Sequence, residues 1–193
     1  MDLDSSIENN IKNIVISYYE KGRSDWDIPH VLASVHWMKE LLKKEQGNPR
    51  ILIPAVYLHD IGYSDLFSIQ NPSPEDIKRV KEQHMARGAE IAGKILSSLN
   101  EFSDEEIKRI KHLIAMHDDL ENINEPDEQL LFEADSLGQI DRDRVKPTFS
   151  REDAIKTLER FEKNRASRFK TNSGRKYLLV LLRKARDYLS ALS

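Results

Sequence analysis

The run Ala55-Val56-Tyr57-Leu58-His59-Asp60-Ile61-Gly62 ends an oily segment on a histidine and an aspartate side by side. Desolvating an unpaired carboxylate is costly, so any fold that buries this segment must bring a counter-charge to Asp60. A divalent metal supplies that compensation, and a His-Asp pair suits it. The chain has no cysteine. Disulfides, thiolate metal sites and cysteine nucleophiles are therefore excluded, and a metal must be held by His, Asp or Glu.

Period-2 alternation is nearly absent, and the punctuation reads as a succession of helices, an all-α chain. Asp25 and Asp27 precede a helix running to about Gln46 and closed by Gly47. An apolar helix follows Pro49 and ends at Gly62, with Pro54 marking a kink or a late start. Tyr63 to Pro72 reads as a loop. Ser73-Pro74-Glu75-Asp76 opens the next helix and Ser103-Asp104-Glu105-Glu106 is a capping-box pattern. Further helices begin at Asn124 to Asp127 and at Ser150. After Asn172-Ser173-Gly174, the last helix carries Leu178, Leu181, Leu182, Ala185, Leu189 and Leu192 on one stripe. No Pro/Gly-rich linker divides the 193 residues, which read as a single domain with its motifs in about 27–145 and basic helices over 150–192.

Projecting each helix at about 100° per residue separates the histidines. His84 shares a face with Ile77, Val80, Gly88, Ile91 and Ile95. His117 lies among Ile110, Leu113 and Ile114, whereas His112 falls on the other side near Lys108 and Arg109. His30 sits with Ser34, Trp37 and Leu41, and His36 with Lys39 and Glu40, toward solvent. His59 ends a helix apolar all round. Asp135 borders an apolar face, and Asp118 reads as exposed at a polar helix exit. A lone inward histidine is ordinarily a hydrogen-bonded core residue. Four of them with two carboxylates form a set that a metal explains economically.

Charge is divided unevenly. Residues 1–141 carry 15 Lys+Arg against 27 Asp+Glu, and residues 142–193 carry 15 against 6. Either the basic helices dock on an acidic body or they attract an anion. The basic segment has no aromatic platform or motif that marks a nucleic-acid site. No apolar run is long enough to span a membrane and no export signal is evident, so a cytoplasmic location is expected.

In this order, His30, His59-Asp60, His84, His117 and Asp135 resemble the HD-domain superfamily of metal-dependent phosphohydrolases, with gaps of 28, 23, 32 and 17 residues. His84-Met85-Ala86-Arg87-Gly88-Ala89-Glu90 and Glu133-Ala134-Asp135-Ser136-Leu137 are similar to further words of that family. The resemblance implies an all-α helical bundle. It assigns His30, His59, Asp60 and Asp135 to one metal, and His84 and His117 to a second that Asp60 bridges. Two divalent ions per chain are implied, drawn from Mn, Fe, Ni, Zn or Mg. Tyr63 departs from the lysine that several branches carry after the His-Asp-x-Gly word, so no phosphate-binding lysine carries over.

The expected reaction is hydrolysis of a phosphate ester of a small molecule, a nucleotide or other phosphomonoester, by attack of a metal-bound hydroxide. No Walker-type phosphate cradle is present. Asp60 and Asp65 are the candidate catalytic carboxylates; Asp65 could act as a general acid or orient a water. Arg87, one turn from His84, and Arg142, two turns after Asp135, are candidate substrate-binding residues. Two other readings fit the same residues: a di-iron oxygenase of this fold, related to myo-inositol oxygenase, and a metal-stabilised binding module without catalysis.

Overall fold

A computed structural model describes residues 3–67 and 72–191, and these form nine α-helices and no strand. The first, α1 (Ser5–Tyr19), has no counterpart in the sequence reading. Asp4 caps it through the Ser6 N–H, and Ile7, Ile11, Val15 and Tyr19 bury one edge at four-residue spacing. In α2 (Ser24–Leu42), Asp25 and Asp27 occupy the first turn instead of preceding the helix, where they complement the helix dipole. Pro49 fits the first turn of α3 (Pro49–Leu58), and Asn48 caps it. This helix runs unbroken through Pro54, so no late start is needed.

The segment after Ser73 is expected as one helix and is two. Helix α4 (Pro74–Arg79) starts with a reciprocal capping box between Ser73 and Asp76, then breaks at Val80 (φ −102°, ψ 8°) before α5 (Lys81–Leu99). Of the expected loop between Tyr63 and Pro72, residues 68–71 lie outside the described residues. Ser103 and Glu106 form the second capping box, at the head of α6 (Asp104–Met116). Pro126 opens α7 (Pro126–Ile140), Ser150 caps α8 (Arg151–Asn164), and α9 (Asn172–Ala191) follows. Leu178, Leu181, Leu182, Ala185 and Leu189 are buried, as the stripe predicts; Leu192 lies outside the described residues.

Because α3 is apolar on every side, it becomes the hub. All residues from Ile51 to Leu58 are buried, and the helix touches α1, α2, α6 and α7. Helix α2 lies along α7, α5 pairs with α6, and α9 backs onto α7. The buried Glu133 of α7 organises the start of α9. Its Oε1 accepts from the Lys170 and Thr171 backbone N–H groups at 2.7 and 3.0 Å, and from Gln129. Part of the positive C-terminal charge is used in docking on the acidic body: Arg165 pairs with Asp118 and Asp135, and Arg168 donates to the Leu120 carbonyl, whereas Lys184–Asp143 and Arg186–Glu162 pair within the basic segment itself.

Candidate metal centre

The ends of α3 and α6 and the inner faces of α2, α5 and α7 meet at one point. His59 and His117 are the C-cap residues of α3 and α6. Each ring donates its Nδ1–H to the carbonyl three residues back, Val56 or Ile114, at 2.8 Å. That bond satisfies a helix-terminal carbonyl and leaves Nε2 as the atom facing the centre. His30 and Asp135 are brought in from mid-helix, and His84 from the first turn of α5. All six side chains, with Asp60, are buried.

The atoms divide into two groups around Asp60. Its Oδ2 is 3.6 Å from Nε2 of both His30 and His59. Asp135 Oδ1 completes this side, 3.1 Å from His30 Nε2 and 3.6 Å from His59 Nε2. The other oxygen of Asp60, Oδ1, is 3.4 Å from Nε2 of both His84 and His117. Donor atoms held about 2.1 Å from an ion stand roughly 3.0–3.4 Å apart for octahedral to tetrahedral angles. The observed spacings, 3.1–3.6 Å, lie within that window or 0.2 Å beyond it. His30–His59–Asp60 and Asp60–His84–His117 are thus two three-residue groups able to hold an ion, and they share one carboxylate. A third group, His112 with Glu125 and Glu128, lies apart at the α6–α7 surface. Glu128 there already accepts from His112 and from the Asn124 and Glu125 N–H groups.

Electrostatics also call for a cation. Burial disfavours the protonated form of His59, yet Asp60 and Asp135 outweigh it and raise its pKa to about 9. Burial likewise opposes ionisation of Asp60 and Asp135, but the surrounding histidines, and for Asp135 chiefly Arg165, hold both well below the usual carboxylate range. The two carboxylates are ionised and gather positive charge, which an ion supplies more fully than a shared proton.

A second layer holds the ligands in place. Arg165, after α8, donates to Asp135 Oδ2 at 2.5 Å, to Asp118 Oδ1 at 2.7 Å and to Ser136 Oγ at 2.9 Å. Asp118 is therefore not free in solvent: Arg165 and Lys81 bracket it. Tyr63 stacks flat on the His84 ring, centroids 4.0 Å apart, and Arg23 covers the Tyr63 ring at 4.2 Å. Arg23 also pairs with the buried Asp27 and reaches to 3.9 Å from Asp60. A tyrosine in the place of a lysine thus supports a histidine through its face. Gly62 permits the contact between this turn and α5. A Cβ on it would sit 1.9 Å from the His84 carbonyl oxygen.

The remaining sequence candidates lie elsewhere. Asp65 is exposed, in a left-handed conformation (φ 57°), and does not line the cavity around the histidines. Arg87 donates to the Gly62 and Ser64 carbonyls and so braces the turn after Asp60. Arg142 is buried against the Val145 carbonyl. Sequence reasoning missed Arg23 and Arg165. Their signal is faint, since an arginine pairing across 30 residues leaves no periodicity; only the need of Asp135 and Asp60 for partners points toward them.

The HD domain family model matches residues 28–140, more than half of the chain. The chain belongs to the HD-domain family. No curated protein and no solved structure matches it. All six histidine and aspartate residues of the centre fall inside the HD-domain match. Arg23 and Arg165 flank it on either side. Among the described residues no helix is long and apolar enough to cross a membrane.

Proposed function

We propose that this HD-domain protein is a metal-dependent phosphohydrolase that cleaves a phosphate ester of a small molecule, with two divalent ions held by His30, His59, Asp60 and Asp135 on one side and Asp60, His84 and His117 on the other. The observation that carries the reading is the pair of buried donor groups sharing Asp60, each oxygen turned to its own pair of imidazoles. Divalent ions bound there lower the pKa of water toward neutrality and neutralise phosphoryl oxygens. The chain's own residues do the rest. Asp60 and Asp135 balance the positive charge without cancelling it, which leaves an anion favoured. Arg165 orients Asp135, and Tyr63 fixes the plane of His84. Arg23 and Arg165 present positive charge at the wall of the cavity, and Lys81 at the wall of the space adjoining it, where an anionic substrate would enter.

The test is metal content and turnover of Asp60→Asn beside the unaltered protein. Loss of both ions, and of chelator-sensitive phosphate release from a panel of phosphate esters restored by Mn²⁺, is the expected result. Normal metal content in the variant sinks the shared-carboxylate assignment. A metal-loaded protein that consumes oxygen and releases no phosphate sinks the hydrolase reading.

A further inference from the structure

The space around the histidines continues outward. Arg23, Trp26, Ile77, Asp118, Gln139 and Arg165 line both the inner cavity, about 130 Å³, and an adjoining one of about 250 Å³. Together they reach the lower end of the size of an ordinary small-molecule site, roughly 300–1,000 Å³. The two ends differ in chemistry. The inner end is walled by histidines, carboxylates and arginine. The outer end is aromatic: Trp26 presents near-parallel faces to His30 (5.8 Å, 20°) and to Phe149 (6.5 Å, 26°), and Phe161 of α8 forms another wall. Exposed Arg160 stands at this end, with no carboxylate partner among the described residues.

Polar atoms at the junction are unspent. Arg23 Nε and Gln139 Oε1 are both buried without a hydrogen-bond partner among the described residues. The Arg23 side chain is only 10% exposed. Buried donors and acceptors are normally paired, so an unpaired donor and acceptor on two residues that line the same cleft point to a ligand that carries both kinds of group. An aliphatic chain would cover the aromatic wall and leave both atoms unsatisfied. A flat ring bearing heteroatoms answers the wall and the polar pair together.

We propose that the outer cavity is a ring subsite, which takes a planar aromatic group of the substrate's alcohol while the phosphate lies at the histidine end. The position of the phosphate rests on the phosphohydrolase reading; the ring subsite rests on the cavity itself. Phe149, Phe161 and Arg160 all come after residue 140, beyond the HD-domain match. The ring is therefore met in large part by residues outside the metal-binding core, and Phe149 is a specificity-determining residue.

The test is calorimetric titration of the metal-loaded protein with 1-naphthylphosphonate and butylphosphonate, whose P–C bonds are not hydrolysed. The naphthyl compound should bind about tenfold more tightly, the increment expected of one aromatic stacking contact. Phe149→Leu, a half-buried position ahead of α8, should bring the two within about threefold by weakening the naphthyl compound alone, and Phe149→Tyr should restore the gap. Equal affinities in the unaltered protein, no binding of either compound, or a parallel loss of both in Phe149→Leu overturns the proposal. The two readings fail separately. Ring-selective binding with no phosphate release from any ester leaves the subsite and removes the hydrolase. Phosphate release with no ring preference does the reverse.

Discussion

Gly62 sits where the turn after Asp60 meets α5, and its replacement by alanine tests the whole arrangement. The added Cβ would lie 1.9 Å from the His84 carbonyl oxygen and 2.8 Å from the Gly88 nitrogen, both backbone atoms that no rotamer change can move. Reaching an ordinary contact of 3.4 Å requires the turn and α5 to part by 3.4 − 1.9, or about 1.5 Å. Overpacking of this kind costs about 1–3 kcal/mol, and rigid backbone on both sides puts Gly62→Ala at the upper end. For a chain of this length about 3 kcal/mol lowers Tm by roughly 6–12 °C. The same displacement widens the 3.4 Å gap between His84 Nε2 and Asp60 Oδ1 toward 5 Å, too far for one ion to bind both. Thermal denaturation and metal analysis should show a lower Tm and the loss of one ion, the one shared with His117. Gly88→Ala is the control. Its Cβ would approach the Gly62 nitrogen and Ile114 Cγ2 at 3.3 Å, a mild crowding that the helix propensity of alanine, worth about 1 kcal/mol, offsets. A Gly62→Ala protein that melts within about 2 °C of the parent and keeps its metal would falsify the close-approach argument.

Arg165→Met should destabilise the metal-free protein by about 3–5 kcal/mol, because it takes the arginine from the buried Asp135 and leaves Asp118 with Lys81 alone, and by less once metal is bound; equal losses with and without metal refute this. Arg50 holds Glu106 ionised down to a pKa of about 2. A carboxylate whose pKa is lowered on folding contributes stability that is complete above its unfolded value, near 4.5, and is lost as pH falls through about 2. The urea midpoints of the parent and Arg50→Met should therefore converge between about pH 4.5 and pH 2, and a constant difference across that window argues against the pair. His117→Ala should strip an ion, whereas His112→Ala, which removes a half-exposed ring from Glu128, should leave the centre's metal content and turnover nearly intact. Metal loss in His112→Ala alone would require the centre to be redrawn.

Helical phase carried most of what the sequence disclosed. His84 and His117 project onto apolar faces and both prove buried, while His112 projects away and is partly exposed. Capping patterns at Ser73, Ser103 and Ser150 mark true helix starts, because the hydrogen bonds that make them are local. Helix α1 was legible in principle: Ile7, Ile11 and Val15 keep the helical period, with Asp4 ahead of them. The break at Val80 was not, since no glycine or proline marks it. Arg23, Arg165 and Asp118 were hidden for a related reason. A charge that is satisfied across the fold looks, in one dimension, like any surface charge.

His59 and His117 each close a helix, and each ring is tied to that helix by its own Nδ1–H bond to a carbonyl three residues back. Metal ligation and the last turn of α3 or α6 are thus mechanically one object: a turn that frays swings its Nε2 out of the centre, and an ion that grips Nε2 keeps the turn wound. The ends of helices are ordinarily where backbone amides exchange with solvent fastest. In this protein metal should reverse that order, making the terminal turns of α3 and α6 among the slowest-exchanging in the bundle when loaded and ordinary frayed ends when stripped.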